Sequence, residues 1–226
     1  MENNEQLLQI MQEMGRRDKA DKLERYRRLN KLARPGQILF AGSSLMEQFP
    51  IYELLLDRQL PYTIYNRGVG GFTTAEFREA LEVCVFELQP RHIFLNIGTN
   101  DLNTPEVSLE ELMARYEDIL TQIRTRLPQT GITLMAYYPM NEEVAGASPW
   151  MAGILNTRNN ACIGEANRLV AALAEKLGLG FIDCNAPITD DKGNMKAEYT
   201  IEGMHMYGNG YAQVLDVLLP LLEKLA

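Results

Sequence analysis

Histidine and cysteine are scarce in this 226-residue chain: His92 and His205 are its only histidines, and Cys84, Cys162 and Cys184 its only cysteines. Any histidine chemistry is therefore confined to two positions. The cysteines are odd in number, widely spaced and without a pair at metal-ligand separation, which argues against a disulfide framework or a zinc ribbon. They read as reduced thiols, which favours the cytoplasm, and none neighbours a histidine or glycine-rich turn that would activate it. No run of about 18 apolar residues exists, so no membrane span is expected. The amino terminus, Met1-Glu2-Asn3-Asn4-Glu5, has neither the basic nor the apolar region of a signal peptide. Positive charge is in deficit, with 22 Lys and Arg against 30 Asp and Glu, and the net charge of -8 disfavours a nucleic-acid or anionic-membrane partner. Repeats and low-complexity tracts are also missing, so nothing suggests a long linker or a second compact domain.

What is present suits a globular protein: 46% hydrophobic and 23% charged residues, in a chain long enough to bury a sizeable core. Residues 4–34 pattern as a helix, with apolar positions from Leu7 to Leu32 and an interruption expected at Met14-Gly15. The cluster Arg16-Arg17-Asp18-Lys19 reads as a solvated face. Arg34-Pro35-Gly36 ends the segment. The chain thus divides into an N-terminal helical extension (1–36) and a main domain (37–226). The extension suits packing on the domain, covering a site, or pairing with a second copy in a homo-oligomer.

From residue 37 short apolar runs alternate with amphipathic stretches. Strands are expected at Ile38–Ala41, Tyr62–Tyr65, His92–Ile97, Ile132–Tyr137 and Leu179–Asp183. Helices are expected over 73–88, from Ser108 to Leu127, over 156–177 and over 208–225, with capping-box spacing at Thr73/Glu76 and Ser108/Glu111. Asn66–Gly71 reads as a glycine-rich turn, and 141–153 as a loop of small residues around Trp150. Such alternation predicts right-handed crossovers and a parallel sheet covered on both faces. The fold class is α/β: a three-layer α/β/α sandwich on a flavodoxin-like, doubly wound sheet of five strands in the order 2-1-3-4-5, with the helical segment added in front.

In that order, the segments after strands one and three converge on one crevice at the carboxyl edge of the sheet. Taken alone, Gly42-Ser43-Ser44 reads as a strand followed by a serine-capped helix. Taken alone, Asn100-Asp101 is a turn, and Gly68, Gly70 and Gly71 are a tight bend. Together with Glu202-Gly203-Met204-His205, before the last helix, they make a set. A serine, backbone donors, a side-chain amide and a histidine with a carboxylate three residues earlier are the equipment for nucleophilic acyl transfer. Serine needs a base to take its proton, and neutral imidazole suits the task. The imidazole needs a partner on its other nitrogen, which Glu202 can supply, with a backbone carbonyl or Asp183 as the alternatives. Charge developing on the attacked carbonyl oxygen can be held by Ser44 N–H, Gly71 N–H and the Asn100 amide. His92, before an apolar strand at the opposite edge, and Asp101 read as structural.

These blocks resemble, in order over about residues 37–225, those of the SGNH, or GDSL, hydrolase superfamily of esterases, lipases and thioesterases. Gly42-Ser43-Ser44-Leu45 is similar to the family's Gly-Asp-Ser-Leu block, implying Ser44 as nucleophile. Asn66-Arg67-Gly68-Val69-Gly70-Gly71 resembles the second block and implies Gly71 as an oxyanion donor. Gly98-Thr99-Asn100-Asp101 matches Gly-x-Asn-Asp, implying Asn100 as another. Glu202-x-x-His205, followed by Gly210-Tyr211, resembles the Asp-x-x-His block. Three departures stand out: Ser43 and Phe72 where the family has aspartates, and Glu202 in place of the triad aspartate.

The resulting expectation is a serine esterase acting on small acyl esters, or thioesters, without cofactor or metal. One histidine beside Glu202 lacks the further ligands a catalytic zinc requires. Tyr137, Tyr138, Met140, Trp150 and Met204 are candidates for an apolar acyl pocket. The rival from another class is a binding module that keeps the pocket without turnover, suggested by Glu202 and Phe72.

Overall fold

The computed structural model describes residues 2–225. Five strands, β1 (Ile38–Gly42), β2 (Ile64–Gly68), β3 (His92–Asn96), β4 (Gly131–Met135) and β5 (Gly180–Ile182), form one parallel sheet in the order β2-β1-β3-β4-β5. Ten helices accompany them among the described residues. They are α1 (Glu2–Asn30), α2 (Ser44–Glu47), α3 (Ile51–Asp57), α4 (Thr74–Glu79), α5 (Leu81–Cys84), α6 (Leu109–Arg126), α7 (Glu142–Ala147), α8 (Pro149–Ala152), α9 (Asn160–Leu177) and α10 (Gly208–Lys224).

The apolar runs are continuous because both sheet faces are covered. Leu39, Ala41, Ile93, Leu95 and Leu134 join one core with side chains of α4, α5, α6 and α9, against which Leu23 and Tyr26 of α1 also pack. Their neighbours Ile38, Phe40, Phe94 and Met135 face the other way, into a second core with α3 and α10. The period-2 alternation of strands thus divides one apolar run between two cores. This is the three-layer α/β/α sandwich expected, preceded by an extra helix.

Several local expectations change. Gly15 does not interrupt α1, which runs unbroken to Asn30; a helical glycine costs only about 1 kcal/mol. Ion pairs one turn apart, Arg17–Glu13, Lys22–Asp18 and Arg28–Glu24, run along the same helix. Strand β2 continues through Asn66 and Arg67, so the turn is confined to the residues after Gly68. Those polar residues tolerate burial because tertiary partners meet them. Asn66 Nδ2 donates to Met46 O at 2.6 Å, and Arg67 Nε to Asn30 Oδ1 at 2.9 Å, with the guanidinium over the ring of Tyr26. The helix expected over 73–88 is broken at Ala80 into α4, α5 and a 3-10 turn. The capping box at Thr73/Glu76 is complete, whereas at Ser108 only the serine half forms. The loop around Trp150 contains α7 and α8, and Trp150 is 72% exposed. Tyr137, Tyr138 and Met140 belong to the cores, so they line no acyl pocket.

His92 opens β3 at the amino-terminal edge of the sheet, buried against Gly131, with Nε2 2.9 Å from Thr133 Oγ1. Burial, reinforced by Arg91, pushes its pKa down from the ordinary 6.5 to about 4. The folded imidazole therefore stays neutral where the unfolded chain's takes up a proton. Stability should fall as pH drops from about 6.5 toward about 4 as far as this group is concerned. Denaturant unfolding of His92→Gln and wild type across that window checks it: the variant should lose less stability on acidification.

Candidate active site

Strand β1 stops at Gly42 for two reasons. Its φ of +152° suits glycine, and a Cβ there would fall 2.0 Å from Asn96 O on β3. The chain turns through Ser43, whose N–H donates to Asn96 O at 3.3 Å, and α2 begins with Ser44. Ser43 Oγ is buried and makes no side-chain cap, so this residue contributes through its backbone.

The segment carrying Glu202 and His205 is folded by its own short bonds. Thr200 and Met206 pair as an isolated bridge, and Thr200 Oγ1 accepts the Gly203 N–H at 2.8 Å. Gly203 has φ +102°, and a Cβ there would strike Ala145 at 2.6 Å. The turn delivers His205 to Ser44, with Nε2 2.9 Å from Oγ. On the other side Nδ1 is hydrogen-bonded to Glu202 Oε1, while the His205 N–H donates to Glu202 Oε2 at 3.3 Å. An ionised carboxylate only accepts, so Nδ1 carries the hydrogen and Nε2 keeps its lone pair for the serine O–H. Burial pushes the Glu202 carboxyl up, but the hydrogen bonds and electrostatic attraction of the His205 side chain and backbone outweigh it, and the net shift is downward. Glu202 is therefore anionic at neutral pH. Asp183 is engaged elsewhere, accepting the Asn185 N–H at 2.9 Å.

The loop after β2 lies against Ser44, since a Cβ built on Gly70 would be 3.8 Å from that of the serine. From Gly68 to Phe72 the N–H groups donate in turn to Asn66 Oδ1, Gly42 O, Glu47 Oε2, no partner among the described residues, and Val69 O. The unpartnered donor is Gly71, at φ +74°. Ser44 N–H is likewise without a bond among the described residues. Asn100 Nδ2 donates one hydrogen to Phe72 O at 2.9 Å, and its second has no partner among the described residues. Phe72 is 3% exposed, so a buried apolar side chain anchors the end of the loop, beside the Glu47 carboxylate that holds Gly70. Asp101, buried, accepts Thr74 N–H at 2.8 Å and the Thr74 hydroxyl at 2.5 Å, tying α4 to the segment after β3.

Residues beyond the motifs also border the site. Glu47, one turn after Ser44, holds Gly70; Lys19 of α1 donates to Gly71 O of the same loop, and Lys22 pairs with Glu47. Lys19 is thus no part of a solvated face, although Arg16 and Arg17 are exposed. Arg158 is fully buried behind Met204, with Nη1 3.2 Å from its sulfur and Nε without a partner among the described residues. No signal at the level of sequence distinguishes these side chains from surface or core residues. A cavity of about 350 Å³ lies between α1 and the α4–α5 region, beside Phe72, with Lys19, Leu23 and Glu76 in its wall. Among the described residues no helix is long and apolar enough to cross a membrane.

Residues 40–213 match the model of the GDSL-like Lipase/Acylhydrolase family, and the chain belongs to it, which makes it a hydrolase acting on ester bonds. Relatives then give a finer comparison. The chain is 26% identical over 190 residues to human platelet-activating factor acetylhydrolase IB subunit alpha2, covering 83% of this chain and 76% of that protein. It is similar to the structure of a putative platelet activating factor from Streptococcus pneumonia, with TM-score 0.85 and 29% identity over 96% of this chain and 98% of that one. A GDSL-like lipase from Bacteroides thetaiotaomicron shares the fold, with TM-score 0.74, 20% identity, and coverage of 90% and 98%.

Proposed function

We propose that this chain is a serine esterase that hydrolyses carboxylic esters of short acyl groups through an acyl-enzyme on Ser44. The observation that carries this reading is the hydrogen-bond chain Ser44 Oγ–His205–Glu202. His205 Nε2 takes the Ser44 proton as Oγ attacks the ester carbonyl, and Glu202 fixes the tautomer of the neutral imidazole and stabilises the imidazolium that forms. The oxyanion is received by the N–H groups of Ser44 and Gly71 and by the second hydrogen of Asn100 Nδ2. The imidazolium returns its proton to the departing alkoxide, and the alcohol leaves. Water, deprotonated by His205, then attacks the acyl-enzyme; the carboxylic acid departs and the serine hydroxyl is restored.

Two considerations support a short acyl group. The aromatic and methionine side chains suited to an acyl tunnel, Tyr137, Tyr138 and Met140, are committed to the cores. The curated relatives are named for an acetylhydrolase activity. Thioesters of short acids suit the same machinery.

The test is steady-state hydrolysis of p-nitrophenyl esters from acetyl to octanoyl, by wild type and Glu202→Gln. Wild type should favour acetyl, and the variant should lose at least about tenfold in kcat. Failure of wild type on every ester would overturn the reading. An unchanged rate in the variant would remove Glu202 from the relay.

A further inference from the structure

Gly68 ends β2 and the loop that follows it contains Gly70 and Gly71, and adjacent glycines have wide backbone freedom. A donor on such a loop is useful only if its peptide plane is held before the oxyanion forms. The groups that hold the peptide planes on either side of the Gly71 N–H come largely from α1. Tyr26 Oη donates to Gly68 O at 2.6 Å. Lys19 Nζ donates to Gly71 O at 2.9 Å and pairs with Glu76 Oε1 at 2.7 Å. Lys22 Nζ lies 2.8 Å from Glu47 Oε1, and the other oxygen of that carboxylate accepts the Gly70 N–H at 2.5 Å. Glu47 sits on α2, the helix that Ser44 begins, so one carboxylate joins the serine's helix, the glycine loop and the N-terminal helix.

We propose that α1 is a positioning element of the active site: Lys19 and Lys22, the latter through Glu47, clamp the Gly70–Gly71 backbone so that the Gly71 N–H is pre-aimed at the oxyanion. The proposal rests on the reading of Gly71 as an oxyanion donor. The side chains of Lys19 and Lys22 are only 23% and 20% exposed; Lys19 joins a carboxylate to the loop carbonyl of Gly71, and Lys22 meets the carboxylate that holds Gly70, whereas the neighbouring Arg16 and Arg17, at 72% and 77%, among the described residues pair only with Glu13 of their own helix. Neither lysine touches substrate. Their effect passes through the loop.

The experiment compares wild type, Lys19→Met, Lys22→Met, the double variant and Lys22→Arg, since methionine keeps an apolar stem of similar length and removes the charge. Three readouts are taken: kcat and KM on p-nitrophenyl acetate, amide hydrogen exchange of residues 66–72, and thermal unfolding. The double variant should lose about tenfold or more in kcat, part of the 10²–10³ that a whole donor supplies. Its KM should stay within about twofold, and exchange should accelerate at Gly70–Phe72 rather than across the core. Lys22→Arg should recover most of the loss left by Lys22→Met. An active wild type whose double variant keeps its kcat would overturn this proposal alone. So would a kcat loss accompanied by uniform exchange and a matching fall in thermal stability, which is the signature of a merely structural anchor. An inactive wild type would overturn the esterase reading and this proposal with it.

Discussion

Ser44→Ala should abolish hydrolysis of short p-nitrophenyl esters while the protein stays folded. Among the described residues the hydroxyl's one side-chain bond is to His205 Nε2, so its removal leaves no buried carboxylate or amide unpaired. The helix α2 that Ser44 begins is anchored by Leu45 and Met46, both buried, and by the Tyr211 hydroxyl donating to Leu45 O at 2.8 Å. A covalent route that loses its nucleophile typically falls by roughly 10⁵–10⁶ in kcat, with the remaining oxyanion donors sustaining a residue of activity. His205→Ala should fall by a similar factor. The double variant should be no worse than either single one, because the two groups act as a unit. Rates of purified variants, with far-ultraviolet circular dichroism and thermal unfolding as controls, check all three.

Asn100→Ala should lower kcat by about 10²–10³ and leave KM nearly unchanged. The amide nitrogen of Asn100 has two hydrogens, and one is spent on Phe72 O at 2.9 Å. That bond aims the other. In the ground state the second hydrogen contributes little, since a neutral ester carbonyl accepts weakly. As charge develops the same bond becomes charge-assisted, so its loss falls on kcat and not on KM. Asn100→Asp should be worse than alanine, because it places an acceptor, and negative charge, where the oxyanion forms. A loss below tenfold for both substitutions would remove Asn100 from the site's donors.

Much of the fold was legible because local signals agreed. Apolar runs such as Ile38–Ala41 and His92–Ile97 lie between breakers, and Thr73/Glu76 forms the capping box its spacing announces. Where local chemistry was overridden from outside, the sequence misled. Asn66 and Arg67 look like turn residues, yet Met46 O and Asn30 give them partners in a buried strand. Ala80 carries no breaking signal, yet the helix stops there. The candidate residues Ser44, Gly71, Asn100, Glu202 and His205 were legible as motifs. The groups that hold them were not: Glu47 meets Gly70 across 23 positions, and Lys19 meets Gly71 across 52. Side chains such as these resemble any surface charge until the chain is folded.

Everything proposed for the chemistry depends on Ser44 being an activated nucleophile, and covalent labelling probes that property without a substrate having to be known. Wild type and His205→Ala are treated with a fluorophosphonate, digested and mapped by mass spectrometry. A single adduct is expected on the peptide containing Ser44, forming readily in native wild type and slowed by at least about 10³ in His205→Ala. A native protein left unlabelled at Ser44, or labelled equally fast without His205, would show that the serine is not activated by this histidine.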